Sequence, residues 1–547
     1  MNQPRRRRLR AGWAASALVF GGIVLSLGAS CFSGADGIEP PARELYFPTG
    51  LVVSPGRTTL YVGNSDFDLQ YSGGTVHAVR LADTDGEKGI RSLALAVSDQ
   101  IQAGATPKDA CAAAGTIPND NPFIVPGPCK PIDYEPFVEA TTGTGAFISA
   151  LTLASRPDAP GARLFATVRG DPSITFFDIA DDRDPSAIAS PCATNFCLEC
   201  QAETDTSRCG SFYRVGESVI TSRRGISLPT EPVGIATGAD AVVVAHQTSN
   251  AVSLSVNHWP AGSSEQAVQP FTGPALEFLL TNVADAPTGV AHIPPPKLIA
   301  ARGGEIAYRE GFIITHRAAS TLTVVRYEPD TASHPPRPFL IKAAEVPMSL
   351  SATGDDQRGI AIDASERDAC EALCDADDVD CLRTCVDIPL RVYIASRAPD
   401  SLVVGRLEAN VAGGGSTSDG NAVTNIDESL MVDEVVPMPI GPSGVAIGKV
   451  IGPTGALETR VFAVSFDSRF LTIYDPTLRT VEASLKTGRG PFGMAFDTDP
   501  DNGTSLLYLG HFTDSFLGVV DLDMRHKLSY GSVLLSVGVP SAPREEQ

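Results

Sequence analysis

Three of the eight histidines, His246, His316 and His511, each close a short apolar run: "VVVAH", "FIITH" and "LYLGH". Imidazole is a common metal ligand and titrates near neutral pH, so three in one setting could serve zinc or a redox metal. Cysteine offers a second chemistry. Beyond Cys31 the cysteines form three even groups: Cys111 with Cys129; Cys192, Cys197, Cys200 and Cys209; and Cys370, Cys374, Cys381 and Cys385. "CLEC" and "CEALCDADDVDCLRTC" have spacings that could present thiolates to zinc. "DTDPDNG" from Asp497 alternates carboxylates as calcium loops do. It lacks glycine at the sixth position, however, and carries Tyr508 at the twelfth, so a polar hairpin turn around Asn502 and Gly503 is expected. No Gly-x-Ser-x-Gly elbow, His-Glu-x-x-His pair, phosphate loop or dinucleotide fingerprint occurs, and no catalytic residue is assigned.

The elements that would position these groups repeat along the chain. Units begin at Pro48 ("PTGLVVSPGRTTLYVGNSD"), Gly143, Pro232 ("PVGIATGADAVVVAHQTSN"), Pro287, Pro347, Pro442 and Pro491. Each opens on a Pro-x-Gly phrase, read as a turn because Pro fixes φ and Gly tolerates positive φ. A strand of small apolar residues follows, then a second strand ending in one distinctive residue, then a third that alternates. The unit at Gly143 lacks the Pro, and that at Pro347 has Ser349 for the Gly. Aligned, the second-strand ends read Asn64, Val168, His246, His316, Ser396, Ser465 and His511. The three histidines therefore share one slot.

These phrases, with "LYVGNSD", "SITFFDI", "LTIYD" and "LGVVDLD", resemble the YVTN-type β-propeller repeat across almost the whole chain. The resemblance implies an all-β, seven-bladed propeller spanning 44–540, with residues near 529–537 supplying the last outer strand beside 516–521. It also puts the shared slot on the channel-mouth face, making Asn64, His246, His316 and His511 candidate ligand-binding residues. His246 and His316 lie on neighbouring units but His511 is three away, whereas zinc ligands must converge to about 4 Å. No shared metal and no cofactor is expected.

The 547-residue chain is 43% hydrophobic, carries 51 Gly and 42 Pro, and has a net charge of −22. Many turns and a large core follow, and so acidic a surface excludes nucleic acid as a partner. Residues 1–30 run from Arg5–Arg8 and Arg10 into an apolar stretch, as a secretory signal does. "LGASC" resembles a bacterial lipobox with Cys31 as the lipidated residue, followed by a linker over 31–43. Ordinary cleavage or an uncleaved anchor are the alternatives. Lipidation would tether the chain to the outer membrane; simple cleavage would leave it periplasmic or secreted.

In an oxidising envelope the three cysteine groups read as local disulfides within insertions at about 100–135, 181–225 and 363–388. Cys111–Cys129 is expected, and nested Cys370–Cys385 and Cys374–Cys381 bridges in a helical hairpin, with Ser365 and Asp368 as a capping start. Residues 541–547 form a tail. The function expected is that of an envelope binding scaffold whose channel-mouth face meets a protein, glycan or cell-wall component. A lactonase-like metal-dependent hydrolase and a redox or metal-binding propeller are the alternatives.

Overall fold

Each of the seven units folds into an antiparallel sheet, and the seven sheets stand around one axis. The computed structural model describes residues 38–540 except 85, 157–160, 185–191, 203–206, 260–272, 331, 349–353 and 417–421; Cys31, the signal segment and the tail lie outside the described residues. From the axis outward, blade I comprises Pro48–Val53, Thr59–Asn64, Thr75–Arg80 and Val138–Gly143. Blade II comprises Ile148–Ser155, Ala162–Val168, Ser173–Ile179 and Arg214–Val215; blade III, Pro232–Thr237, Ala241–His246, Ala251–Asn257 and Pro274–Leu280. Blade IV comprises Pro287–Ile293, Gly311–His316, Thr321–Glu328 and Phe339–Pro347. Blade V comprises Asp355–Asp363, Leu390–Ala398, Asp400–Ser416 and Ala422–Pro437, with Ile306–Tyr308 added in parallel at its outer edge. Blade VI comprises Pro442–Ile451, Leu457–Ser465, Phe470–Asp475 and Thr480–Lys486; blade VII, Pro491–Asp499, Thr504–His511, Phe516–Asp521 and Val533–Val537. The last strand does pair with 516–521.

Single blades cannot bury both faces, so apolar rows of adjacent blades interlock. Tyr61 and Val76 of blade I share a core with Leu164 and Phe176 of blade II, and Leu507 and Leu509 of blade VII pack with Phe462 and Ile473 of blade VI.

Pro-x-Gly is no turn. It is the first stretch of each innermost strand and contains a β-bulge, where Pro48 opposes Asn64 and Pro491 opposes His511. The glycine answers to crowding at the axis. A Cβ on Gly234 would lie 2.0 Å from the Thr288 carbonyl oxygen of the next blade, and one on Gly289 2.4 Å from that of Arg358. This corrects two unit starts. Gly143 ends the outer strand of blade I and Pro347 that of blade IV; the phrase itself is played by Ile148-Ser149-Ala150 and Gln357-Arg358-Gly359, which oppose Val168 and Ser396.

The ring closes without sharing a strand between the chain's ends. An unexpected helix, α1 (Ile90–Gln102), leaves blade I and packs on blade VII, burying Ile90, Ala94 and Val97 against Leu506, Tyr508 and Leu534. Arg91 Nε donates to Asp497 Oδ2 at 2.6 Å, and Ser98 Oγ to Asp521 Oδ2 at 2.7 Å. Further along the same insertion, Ile132 exchanges backbone hydrogen bonds with Ser536 and Gly538.

All ten cysteines of the insertions are paired locally: Cys111–Cys129, Cys192–Cys197, Cys200–Cys209, Cys370–Cys385 and Cys374–Cys381. Cys370–Cys385 staples helix α2 (Ser365–Glu371) to α3 (Val379–Val386), and Cys374–Cys381 ties the segment just after α2 to α3, giving the expected hairpin. Its start differs from expectation. Ser365 is the first helical residue, and the carboxylate of Asp363 accepts its N–H at 2.9 Å.

Candidate functional site

The shared slot is a buried fastening. Asn64, Val168, His246, His316, Ser465 and His511 end second strands, Ser396 stands two residues before the end of its own, and all seven are fully buried. His246 Nε2 pairs with Ser253 Oγ at 2.8 Å and His316 Nε2 with Thr323 Oγ1 at 2.9 Å. Backbone carbonyls of Pro229 and Thr230 face His246, and those of Ala284 and Asp285 face His316. Ser465 Oγ donates to the Pro439 carbonyl at 3.0 Å. Asn64 Nδ2 donates to Thr75 Oγ1 at 3.0 Å and its Oδ1 accepts the Tyr46 N–H at 3.3 Å. The slot thus ties second strands to neighbouring strands and to the segments leading into innermost strands. His511 differs, stacking on Phe516 with centroids 4.0 Å apart. Burial lowers the pKa of His246 to about 4 and of His511 to about 3, and lowers that of His316 as well.

The four candidate ligand residues, Asn64, His246, His316 and His511, are therefore absent from the surface of the mouth. Their side chains turn into the ring. The residue that follows each slot turns the opposite way, because side chains alternate along a strand. Ser65, Arg169, Gln247, Arg317, Arg397, Phe466 and Phe512 all line a cavity of about 490 Å³ at the channel mouth. The middle residues of the inner phrases, among them Thr49, Ser149, Arg358 and Phe492, line it too. The seven-unit alignment read one residue further would have shown three arginines at one position of an acidic chain.

Two features hold this layer in place. The N–H of the lining residue donates to the residue just before the innermost strand, as in Ser65 to Phe47 (3.1 Å), Arg169 to Phe147 (3.1 Å) and Arg317 to Ala286 (2.9 Å). The residue before the inner phrase is left-handed in every blade: Phe47, Phe147, Glu231, Ala286, Asp356 (the second residue of its strand), Gly441 and Gly490 have φ between 48° and 82°. Positive φ is costly for bulky residues, roughly 1–3 kcal/mol each, and is tolerated where surrounding structure enforces it. Here it carries Phe47 and Phe147 toward Phe67 (centroids 6.1 and 5.8 Å) and Glu231 and Asp356 toward arginines.

The mouth has two halves. Blades VI, VII and I contribute Phe466, Phe492, Phe512 and Phe67; Phe512 lies 5.2 Å from Phe67 and 6.0 Å from Phe466 between centroids. Blades II, IV and V contribute Arg169, Arg317, Arg358 and Arg397. Among the described residues no group of three or more His, Cys, Asp or Glu side chains is placed to hold a metal.

Fold and site together define a seven-bladed β-propeller with an amphipathic channel mouth. No family model matches the chain, and no curated protein matches it. Among solved structures it is similar to a putative 6-phosphogluconolactonase from Bacteroides uniformis, with TM-score 0.40 and 10% identity over 81% of this chain and 86% of that one. It is similar also to Kuenenia stuttgartiensis hydrazine synthase (0.40; 10%; 90% and 100%) and to Saccharomyces cerevisiae Sqt1 (0.39; 8%; 93% and 90%). At these values no activity is carried over.

Proposed function

We propose that the protein is an exported propeller of the YVTN-repeat kind, held at the bacterial cell envelope through lipidated Cys31, and that it binds an envelope component at its channel mouth. The observation that carries this reading is the mouth itself, where arginines of a strongly acidic chain gather opposite a phenylalanine cluster. A concave site with an apolar wall and a few convergent polar groups is the usual form of a ligand pocket. The rigid ring also fixes strand-end side chains without disturbing the ladders.

Two experiments test the reading. A photo-cross-linking residue at Val233 or Thr288, both at the mouth, should capture an envelope component in intact cells. The same residue at Leu478, exposed in the turn between the last two strands of blade VI, should not. Equal capture from all three positions, or none, overturns the mouth as the binding face. Cys31→Ser should move the protein from the membrane to the soluble fraction; unchanged membrane association overturns the lipid anchor.

A further inference from the structure

The cationic half of the mouth is not balanced by its own carboxylates. Arg169 is paired with Glu231. On blades IV and V, three guanidiniums, Arg317, Arg358 and Arg397, share two carboxylates, Asp356 and Asp467. Arg358 takes the short contacts, 2.5 and 2.9 Å to Asp356. Arg317 has a single hydrogen bond, 3.4 Å from Nε to the same carboxylate, and its terminal nitrogens have no partner among the described residues. Arg397 stands 3.5 Å from Asp467 and donates from Nε to the Pro442 carbonyl at 3.2 Å. Their side chains are only 19–34% exposed, so water compensates them incompletely. Burial, followed by repulsion from Arg358, lowers the pKa of Arg317 despite Asp356 nearby.

One positive charge is thus left over, with forked donors directed at a partly dry cavity. A guanidinium fork matches a carboxylate in shape, and hydrogen bonds between charged partners are stronger than neutral ones. A monoanion equals the excess charge; a multiply charged headgroup would exceed it. The opposite wall makes a second demand. Phe67 is 52% exposed and Phe492 37%, and with Phe466 and Phe512 they present aromatic faces and edges. Such a wall favours an aryl or alkyl body.

We infer that the mouth binds a small organic monocarboxylate with an aryl or alkyl body, its carboxylate on Arg317, Arg358 and Arg397 and its body on Phe67, Phe466, Phe492 and Phe512. This deepens the binding reading above and rests on it. A hydrophobic site on its own would not discriminate an acid from its alcohol, and an arginine site on its own would not discriminate a long acid from acetate.

Calorimetric titration of the whole mature protein with 4-phenylbutyrate, 4-phenylbutanol, 4-phenylbutylamine, acetate and inorganic phosphate tests this. 4-Phenylbutyrate should bind at least tenfold more tightly than each of the others. Arg317→Gln with Arg358→Gln should remove at least tenfold of the acid's affinity and change that of the alcohol less than twofold. Phe67→Ala with Phe492→Ala alters two partly exposed side chains, so folding should be kept, and it should weaken acid and alcohol together. Acid and alcohol binding equally would overturn the carboxylate assignment, leaving the cross-linking result to decide whether the mouth binds anything. Phosphate or acetate binding as tightly as 4-phenylbutyrate would overturn the role of the phenylalanine wall. Acid affinity unchanged in the arginine variant would also overturn the inference.

Discussion

Replacing Asp497 with Asn should weaken the whole ring, because that carboxylate clasps blade I to blade VII. Asp497 is fully buried, accepts from Arg91 Nε at 2.6 Å and from the Tyr508 hydroxyl at 3.1 Å, and faces an Arg91 side chain only 20% exposed. Removing one partner of a buried pair leaves the other charge dry and uncompensated, typically a loss of about 3–5 kcal/mol. Arg91 retains some exposure, so the lower end, about 3 kcal/mol, is expected. Asp499, two residues on, supplies the control. Its ion pair with Arg57 spans the same seam at 2.6 Å, but the side chains are 15% and 35% exposed. Partly solvated pairs contribute about 0.2–1 kcal/mol. Asp499→Asn should therefore cost several-fold less than Asp497→Asn. Urea unfolding gives both values, and hydrogen exchange should show α1 and the outer strand of blade VII loosening first in Asp497→Asn. Equal losses in the two variants, or a loss below about 1 kcal/mol for Asp497→Asn, would refute the clasp.

Gly234→Ala, whose Cβ would meet the Thr288 carbonyl oxygen at 2.0 Å, should cost about 1–3 kcal/mol in urea, while Gly304→Ala, with nothing within 4 Å, should be nearly neutral. His246→Gln with His316→Gln should lower the melting temperature at pH 7.5 and leave binding at the mouth intact, since both rings are buried fastenings. The folded pKa of His246 lies near 4, below the unfolded value of about 6.5, so the unfolded chain binds more protons and stability should fall as pH drops through that interval. The double variant should flatten that slope in acid-titrated melts. His526 carries the opposite sign. Its hydrogen bond to Asp521 raises its pKa, so its contribution is full below about 6.5 and lost as pH rises through the raised value; His526→Gln should remove that loss.

The ring was legible because its grammar is local. Five of seven innermost strands begin at the Pro of a Pro-x-Gly phrase, and six of seven second strands end at the aligned slot, the seventh running two residues past Ser396. The two misplaced starts show what the phrase does. Blade II uses Ile148-Ser149-Ala150 and blade V Gln357-Arg358-Gly359, so the bulge and a small third residue are what the geometry requires, and the proline is optional. Helix α1 was not foreseen. Its apolar face is complete only against Leu506, Tyr508 and Leu534, several hundred residues away.

The mouth was less legible, and for a different reason. Strand ends do line the cavity, but the aligned slot residues lie on the buried side of the sheet and their successors on the open side. Period-two alternation is unforgiving: a shift of one residue exchanges the buried face for the open one. His246 attracts attention because a histidine in an apolar run needs a reason, and the structure supplies one in Ser253 and the facing carbonyls of Pro229 and Thr230. Gln247 and its equivalents attract none in isolation, since an arginine or phenylalanine after a strand is ordinary. Their meaning is collective. Only ring closure brings Phe512, itself beside Phe466, against Phe67, and only adjacency of blades IV and V crowds Arg317 against Arg358. No repeat contributes more than two of these arginines and phenylalanines, so the charge excess and the apolar wall exist at no single stretch of sequence and arise when the seven repeats are set in a circle.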